Sequence, residues 1–514
     1  SIGDTVPPTA IGSFVLRSSL IAMAMDPNGA AYRYVILLLN CLLTFGSYFC
    51  FDMPSNLQDA IEDRVLGWTD DKSFYYNLLY VVYAWVNMIM SLIAGVLVDT
   101  WGRKKSMYLF ISLCLTGASL FALGATLTSM SGQARFAIMF VGRFIFGLGG
   151  GSITISQNQI TAGWFEGKEL AMAFGCTLTI SRIGSVVNYD LTPWLYDQFA
   201  SISHEYALGM TLWLGASLIF ISIIAAFTFN SMDERAKREH AGPYAIVEKD
   251  PALLDGEAVA ITTDEEGGAP PKPKSKRVNL SDVRSFPLSY WVICFTIATF
   301  YNIVFPFMAD AKSLLSDRYG LEDSAASSRA GLVYTVSMVV SPFLGRAVDY
   351  VGRRSQLAMF GTALTVPTFL LLARNDSDSF EPLPFMLMLG VSYSVCAASL
   401  WPSIQLLIDP HTVGTANGVA TSIQMLGIGT CNILVGVLKD SSGWTTVLYF
   451  FTFMGAASFL LTIVMAMADD GRLWEGQRDK DLKARSQSRA DGSDVVIKTD
   501  AEERAEPLLN GDIQ

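Results

Sequence analysis

Arg182 stands near the middle of an apolar run, where an unpaired charge costs several kcal/mol. A guanidinium held there offers a planar fork of donors matched to a carboxylate. It therefore reads as the grip for an anionic group at mid-membrane depth, with a structural ion pair or a snorkelling side chain as the alternatives. Arg143 and Asp190 lie at similar depths, about 10 Å inside the ends of their runs at 1.5 Å rise per residue. They could form a static bridge, a gate, or an acid for an amine. Asp52, and Asp310 beside Lys312, occupy matching positions at the ends of two further runs and are candidates for the same amine, or simply solvated charges. Tyr83 and Gln157 have the groups to hydrogen-bond a peptide unit. Tyr301 and Trp401 join them as site candidates, while Tyr48, Tyr80, Trp85, Asn87 and Asn302 read more readily as packing residues.

A second constellation occurs twice. Gly95-Val-Leu-Val-Asp99-Thr-Trp-Gly102-Arg103-Lys104-Lys105 closes one apolar run, and Gly345-Arg-Ala-Val-Asp349-Tyr-Val-Gly352-Arg353-Arg354 closes another 250 residues later, from Asp99 to Asp349. So long a period excludes a solenoid and is explained by two similar membrane halves. Gly95 and Gly102 permit close helix contact and a tight turn. Asp99 can accept from the positive N-terminus of a helix in the opposite half, near Gly414-Thr415. Arg103 can pair with that aspartate or with a facing helix C-terminus. The cluster reads as a conformational clamp, with Gly345, Asp349, Gly352 and Arg353 as its counterpart; the bland reading is that the cations only enforce topology.

The elements that must carry these residues are spans. Half of the 514 residues are apolar, mean hydropathy is +0.37 and charged residues make up only 16%, against roughly 25% in soluble domains. About 20 apolar residues cross a hydrocarbon core, and twelve such runs occur. The first six are 32–53, 74–98, 106–128, 136–161, 170–195 and 206–229; the second six are 290–313, 330–350, 356–373, 383–408, 414–438 and 445–467. Backbone groups in lipid must be satisfied internally, and these runs are too long and too uniformly apolar for barrel strands, so all are helices. The expected fold is all-α and integral to the membrane, with two pseudo-symmetric six-helix bundles.

The domains expected are an N-terminal segment 1–31, a bundle 32–229, a linker 230–289, a bundle 290–467 and a tail 468–514. The linker and tail are too polar to bury a core. Lysine and arginine concentrate in the loops after spans 2 and 8 and in the linker, whereas acids dominate after span 1 (Asp59, Glu62, Asp63, Asp70, Asp71). Both termini and the linker are therefore expected to be cytoplasmic. On that map Asn375-Asp-Ser377 faces the lumen or exterior as a glycosylation acceptor.

The net charge of −11 comes mostly from loops and tail, and no nucleic-acid surface is read from it. The seven cysteines fall far apart inside apolar runs without a CxxC pair, and the three histidines sit in or beside loops. Neither a disulfide framework, a metal site nor a buried histidine relay is expected. No phosphate-cradling loop or catalytic triad occurs, so neither an enzyme nor a cofactor is expected.

Twelve spans in two sixes, a long linker and the doubled GxxxDxxGR motif resemble the major facilitator superfamily across the membrane region. The resemblance implies alternating access around a central cavity. A narrower one lies in Phe45-Gly-Ser-Tyr-Phe-Cys-Phe-Asp52-Met-Pro54, Gly142-Arg-Phe-Ile-Phe-Gly-Leu-Gly-Gly150, Trp164-Phe-Glu-Gly-Lys-Glu-Leu170, Ser181-Arg-Ile-Gly-Ser185 and Leu400-Trp-Pro402. These stretches are similar to the major facilitator superfamily domain-containing protein one group. That implies a lysosomal carrier of dipeptides working with a glycosylated accessory membrane protein. It also implies an acid after Gly149-Gly150, where this chain has Gly151.

The expected function is export of dipeptides by facilitated diffusion, with Arg182 on the carboxylate and Asp190, Asp52 or Asp310 near the amine. The alternatives are a carrier of single amino acids or small organic anions, for which Arg182 suffices, and a non-transporting receptor or scaffold. Span 1 lacks the glutamate and arginine cluster of proton-driven peptide carriers, which argues against proton coupling. Asp250-Pro-Ala-Leu253-Leu254 in the linker fits an adaptor signal.

Overall fold

The computed structural model describes residues 26–27, 29–165, 170–239, 280–375, 381–408, 412–469, 471 and 473. Much of the linker, the tail beyond 473, the adaptor-like stretch and the serine of the Asn375 sequon lie outside the described residues.

Among the described residues thirteen α-helices run in order: α1 Ala30–Leu42, α2 Phe45–Asn56, α3 Gln58–Arg64, α4 Lys72–Trp101, α5 Arg103–Thr126, α6 Gly132–Trp164, α7 Leu170–Ile202, α8 Ala207–Arg238, α9 Leu288–Tyr319, α10 Asp323–Val351, α11 Arg354–Arg374, α12 Leu383–Leu407 and α13 Val413–Met467. No strand occurs among the described residues. Nine helical stretches among the described residues are long and apolar enough to cross a membrane; with α7 and α10, and α13 counted as two, they make up the twelve expected spans. α1 and α2 make one span broken at Leu43–Thr44, and α13 contains two, divided at Gly443, whose φ of 76° is left-handed backbone that glycine accepts without penalty.

The break in span 1 is held by side chains. Asn40 Nδ2 donates to Gln157 O at 3.1 Å and Thr161 Oγ1 at 2.8 Å, and Gln157 Nε2 returns to Asn40 O at 2.9 Å and Thr44 Oγ1 at 3.1 Å. Polar groups inside the bundle thus satisfy the carbonyls that the break exposes. Elsewhere the helices approach through small residues. A Cβ on Gly142 would lie 2.6 Å from Phe121 N, and one on Gly117 would lie 2.6 Å from Phe146 Cα, so α5 and α6 touch backbone to backbone.

Two buried apolar clusters form, one per half, and they interlock at the seam: Ala309 packs with the first cluster, Ala84 and Tyr189 with the second. Arg135 at the start of α6 closes the C-terminal end of α5, donating to Gly124 O at 3.2 Å and Ala125 O at 2.9 Å, and also to Arg64 O at 2.7 Å. A cation on the last carbonyls of a helix meets both their unpaired acceptors and the dipole. All seven cysteines are unpaired, six of them buried.

Candidate functional site

Arg182 points from α7 of the first half into the second. Its Nη1 donates to the Ser337 and Ser341 hydroxyls of α10, the latter at 3.1 Å, and its Cζ stands 4.8 Å from the centroid of the Tyr393 ring on α12. Among the described residues no carboxylate forms an ion pair with it. Tyr48, Tyr301 and Tyr334 complete a phenolic wall around the guanidinium. Hydroxyls and a ring face satisfy part of the fork without neutralising it, so a carboxylate entering the wall would still gain a full charge-assisted pair.

Asp52 ends the same wall. It is 3% exposed at the end of α2, with the Ser185 and Tyr334 hydroxyls beside it. Ser185 is three residues from Arg182, on the same face of α7 and ~5 Å along its axis. Tyr301 accepts from Trp401 Nε1 at 2.9 Å and stacks on Phe305 with centroids 5.6 Å apart. Tyr83 is half-buried, its ring 4.7 Å from Phe51. Gln157 is committed to the span 1 break. At Gly151 the backbone N–H meets Asn87 Oδ1 at 3.1 Å, so the Asn87 amide fills the space in front of this position.

The structure does not bring Arg143 and Asp190 together. Arg143, 2% exposed, donates to Phe51 O at 3.3 and 3.4 Å and Leu79 O at 3.4 Å inside a box of Phe51, Tyr80, Tyr83, Phe121 and Phe146 rings. Asp190 is exposed on α7 and accepts from Ser328 Oγ of α10 at 2.6 Å. Asp310 and Lys312 belong to neither group; they lie in the seam at the end of the molecule opposite the doubled motif.

That far end is closed. Gln58 Nε2 of α3 donates to Asp310 Oδ1 at 2.8 Å, and Lys312 reaches both Asp59 and, at 2.8 Å, Asp323. Asp440 of α13 accepts from the Ser73 and Phe74 backbone N–H groups at 3.2 and 2.8 Å, capping α4 from the other half. Tyr76 Oη donates to Ala309 O at 2.8 Å and Tyr189 Oη to Met308 O at 3.1 Å. Ser327 of α10 bonds Asn56 and the Tyr189 carbonyl.

Toward the motif end, Ser422 Oγ donates to Met88 O at 2.8 Å and a Cβ on Gly418 would lie 3.5 Å from Leu92, so α4 and α13 touch across the halves to that level, while a Cβ added at Gly95 or Gly345 would meet nothing within 4 Å. Gly102 (φ 86°), Gly352 (φ 70°) and Arg353 (φ 52°) make the left-handed turns between α4 and α5 and between α10 and α11. Arg103 lies 4.0 Å from Asp233 of α8, within its own half. The side chains of Asp99 and Asp349 lie outside the described residues.

The family model "Major Facilitator Superfamily" matches residues 36–428 and 288–489. The lysosomal dipeptide transporter MFSD1 of Homo sapiens is 32% identical over 449 residues, covering 86% of this chain and 88% of its own; that of Danio rerio is 31% identical with the same coverage. Among solved structures, the partially occluded, inward-open xylose transporter XylE from E. coli superposes with a TM-score of 0.65 at 13% identity, over 85% of this chain and 98% of that one.

Proposed function

The chain belongs to the Major Facilitator Superfamily and is a multi-pass membrane transporter; on that premise we propose that it carries dipeptides out of the lysosome by uncoupled alternating access. In this reading the motif end faces the cytoplasm, as the basic loops there favour.

The observation that carries the proposal is the unneutralised guanidinium of Arg182, which reaches from one half onto hydroxyls and a ring of the other. The substrate carboxylate takes that fork. Its amine lies toward Asp52, which shares Tyr334 with the guanidinium. The names of the MFSD1 relatives support both the dipeptide and the lysosome.

Asp99 and Asp349, with Gly95, Gly102, Arg103, Gly345, Gly352 and Arg353, are proposed to latch the motif end when it closes; the open space at Gly95 and Gly345 leaves room for that approach. Uptake into liposomes of a dipeptide, its N-acetylated form and a monocarboxylate tests the site. Transport of the free dipeptide alone supports the two-ended grip. Equal transport of the acetylated form removes the amine contact and leaves a carrier of small organic anions.

A further inference from the structure

Two carboxyl groups in the far-end seam share one lysine, which stands within ion-pair distance of both. Lys439 Nζ of α13 lies 3.6 Å from Glu62 Oε1 and 4.0 Å from Asp310 Oδ1, while its donors go to Ser313 Oγ at 3.3 Å and its charge stands 4.4 Å from the Trp444 ring. Asp310 is 1% exposed. Gln58 Nε2 bridges the two acids, at 2.7 Å from Glu62 and 2.8 Å from Asp310. Around them Asp310 Oδ2, Gln58 Oε1 and Asn77 Oδ1 are buried acceptors without a hydrogen-bond partner, and the buried Tyr80 hydroxyl is likewise unpartnered. Two buried acids beside one cation leave the cluster one positive charge short, with unpartnered acceptors next to it.

We propose that the Glu62–Asp310 pair binds one proton when the far end closes, and that this proton locks the two halves together there. The carboxylate takes the proton from solvent and becomes a carboxyl whose O–H serves one of the unpartnered acceptors; no other bond is made or broken. The pair's net charge falls from −2 to −1, which Lys439 balances.

Every element packed here contributes. α3 brings Gln58, Asp59 and Glu62, α4 brings Asn77, Tyr76 and Tyr80, α9 brings Asp310 and Ser313, and α13 brings Lys439 and Asp440. Lys312 is absorbed by Asp59 and Asp323 and does not serve the pair. Glu62, which lies in the connection beyond span 1, is held above the ordinary carboxylate range by burial, against the opposing pull of Lys439. Its contribution to closure is thus full below the normal glutamate value and is lost as pH rises through the raised one.

The cluster lies at the end of the molecule beyond the central site, so the proton enters and leaves on one side. It gates the cycle without crossing the membrane; with the far end on the lumenal side, an acidic lumen biases the carrier toward the state closed to it, so the lock sets how often substrate is admitted, and the inference holds for any substrate.

The test uses the purified full chain in detergent, with spin labels on Ser201→Cys and Ser442→Cys in a Cys176→Ser background, and distances read by double electron–electron resonance. The short, closed population should dominate near pH 5 and give way to a longer one toward pH 8, by up to tenfold in ratio for each pKa unit that closure adds. Asp310→Asn, which carries its own N–H donor and no charge, should stay closed throughout. A wild-type ratio that does not change with pH, or an Asp310→Asn protein that is open at every pH, overturns the proposal. Dipeptide flux is not read, so a wrong substrate assignment leaves the result standing.

Discussion

The guanidinium of Arg182 rests 4.8 Å from the Tyr393 ring centroid, a cation of one half seated on an aromatic of the other. Substrate binding and the relative position of the halves therefore meet in one contact. Arg182→Lys keeps the charge but loses the planar fork, and Arg182→Ala loses both. Losing a charge-assisted bond costs ~2 kcal/mol. A rise of at least about tenfold in KM for dipeptide uptake is expected for lysine, and no measurable uptake for alanine, with unchanged monodispersity on size exclusion.

Glycines at the two kinds of helix contact should behave oppositely. Gly117→Leu places a side chain against the Phe146 backbone, and the overpacking should lower the apparent unfolding temperature by several °C. Gly95→Leu and Gly345→Leu enter open space in this state and should leave that temperature within about 1 °C. If the motif end closes on these faces, both should still abolish uptake. Retained uptake would remove the two glycines from the clamp.

Arg135 satisfies three backbone carbonyls from a position 7% exposed. Arg135→Ala strands them, at a cost on the order of 3 kcal/mol. A lowered unfolding temperature with normal KM in the surviving protein is expected, measured by differential scanning fluorimetry and uptake in parallel.

Asp440 caps α4 across the seam through two N–H groups. Asp440→Ala should cost closure ~1 kcal/mol, about a fivefold fall in the closed-to-open ratio at the far end near pH 5. The same spin-label pair measures it, and an unchanged ratio would show the cap contributes nothing to closure.

Much of this architecture is legible from residue order. Twelve runs of apolar residues and a motif repeated between Asp99 and Asp349 are enough for two six-helix halves, because lipid leaves the backbone no alternative to helix. Arg182 is visible for the same reason: a charge at mid-span must be explained. The surroundings of Arg182 are not visible. Ser337 and Ser341 look like the small residues that any helix contact needs, and Tyr334 and Tyr393 are two among many tyrosines. Sequence position gives depth along a helix but not which way a side chain turns relative to its neighbours. That is why Arg143 and Asp190, level with each other, face different partners. The far-end seam is hidden for another reason. Gln58, Glu62, Lys439 and Asp440 fall outside the apolar runs, and their partners lie partly in the opposing half.

Several tyrosines fasten this molecule by donating to main-chain oxygens, Tyr76 to residue 309, Tyr189 to residue 308, Tyr32 to residue 232, Tyr290 to residue 416 and Tyr319 to residue 372. A peptide oxygen is present whatever the genetic code places there. Drift at the receiving positions is therefore forgiven as long as the bulk fits, while the phenols that supply the hydrogen have no substitute. Homologues should accordingly differ freely at Met308, Ala309 and Leu372 and keep the five hydroxyls.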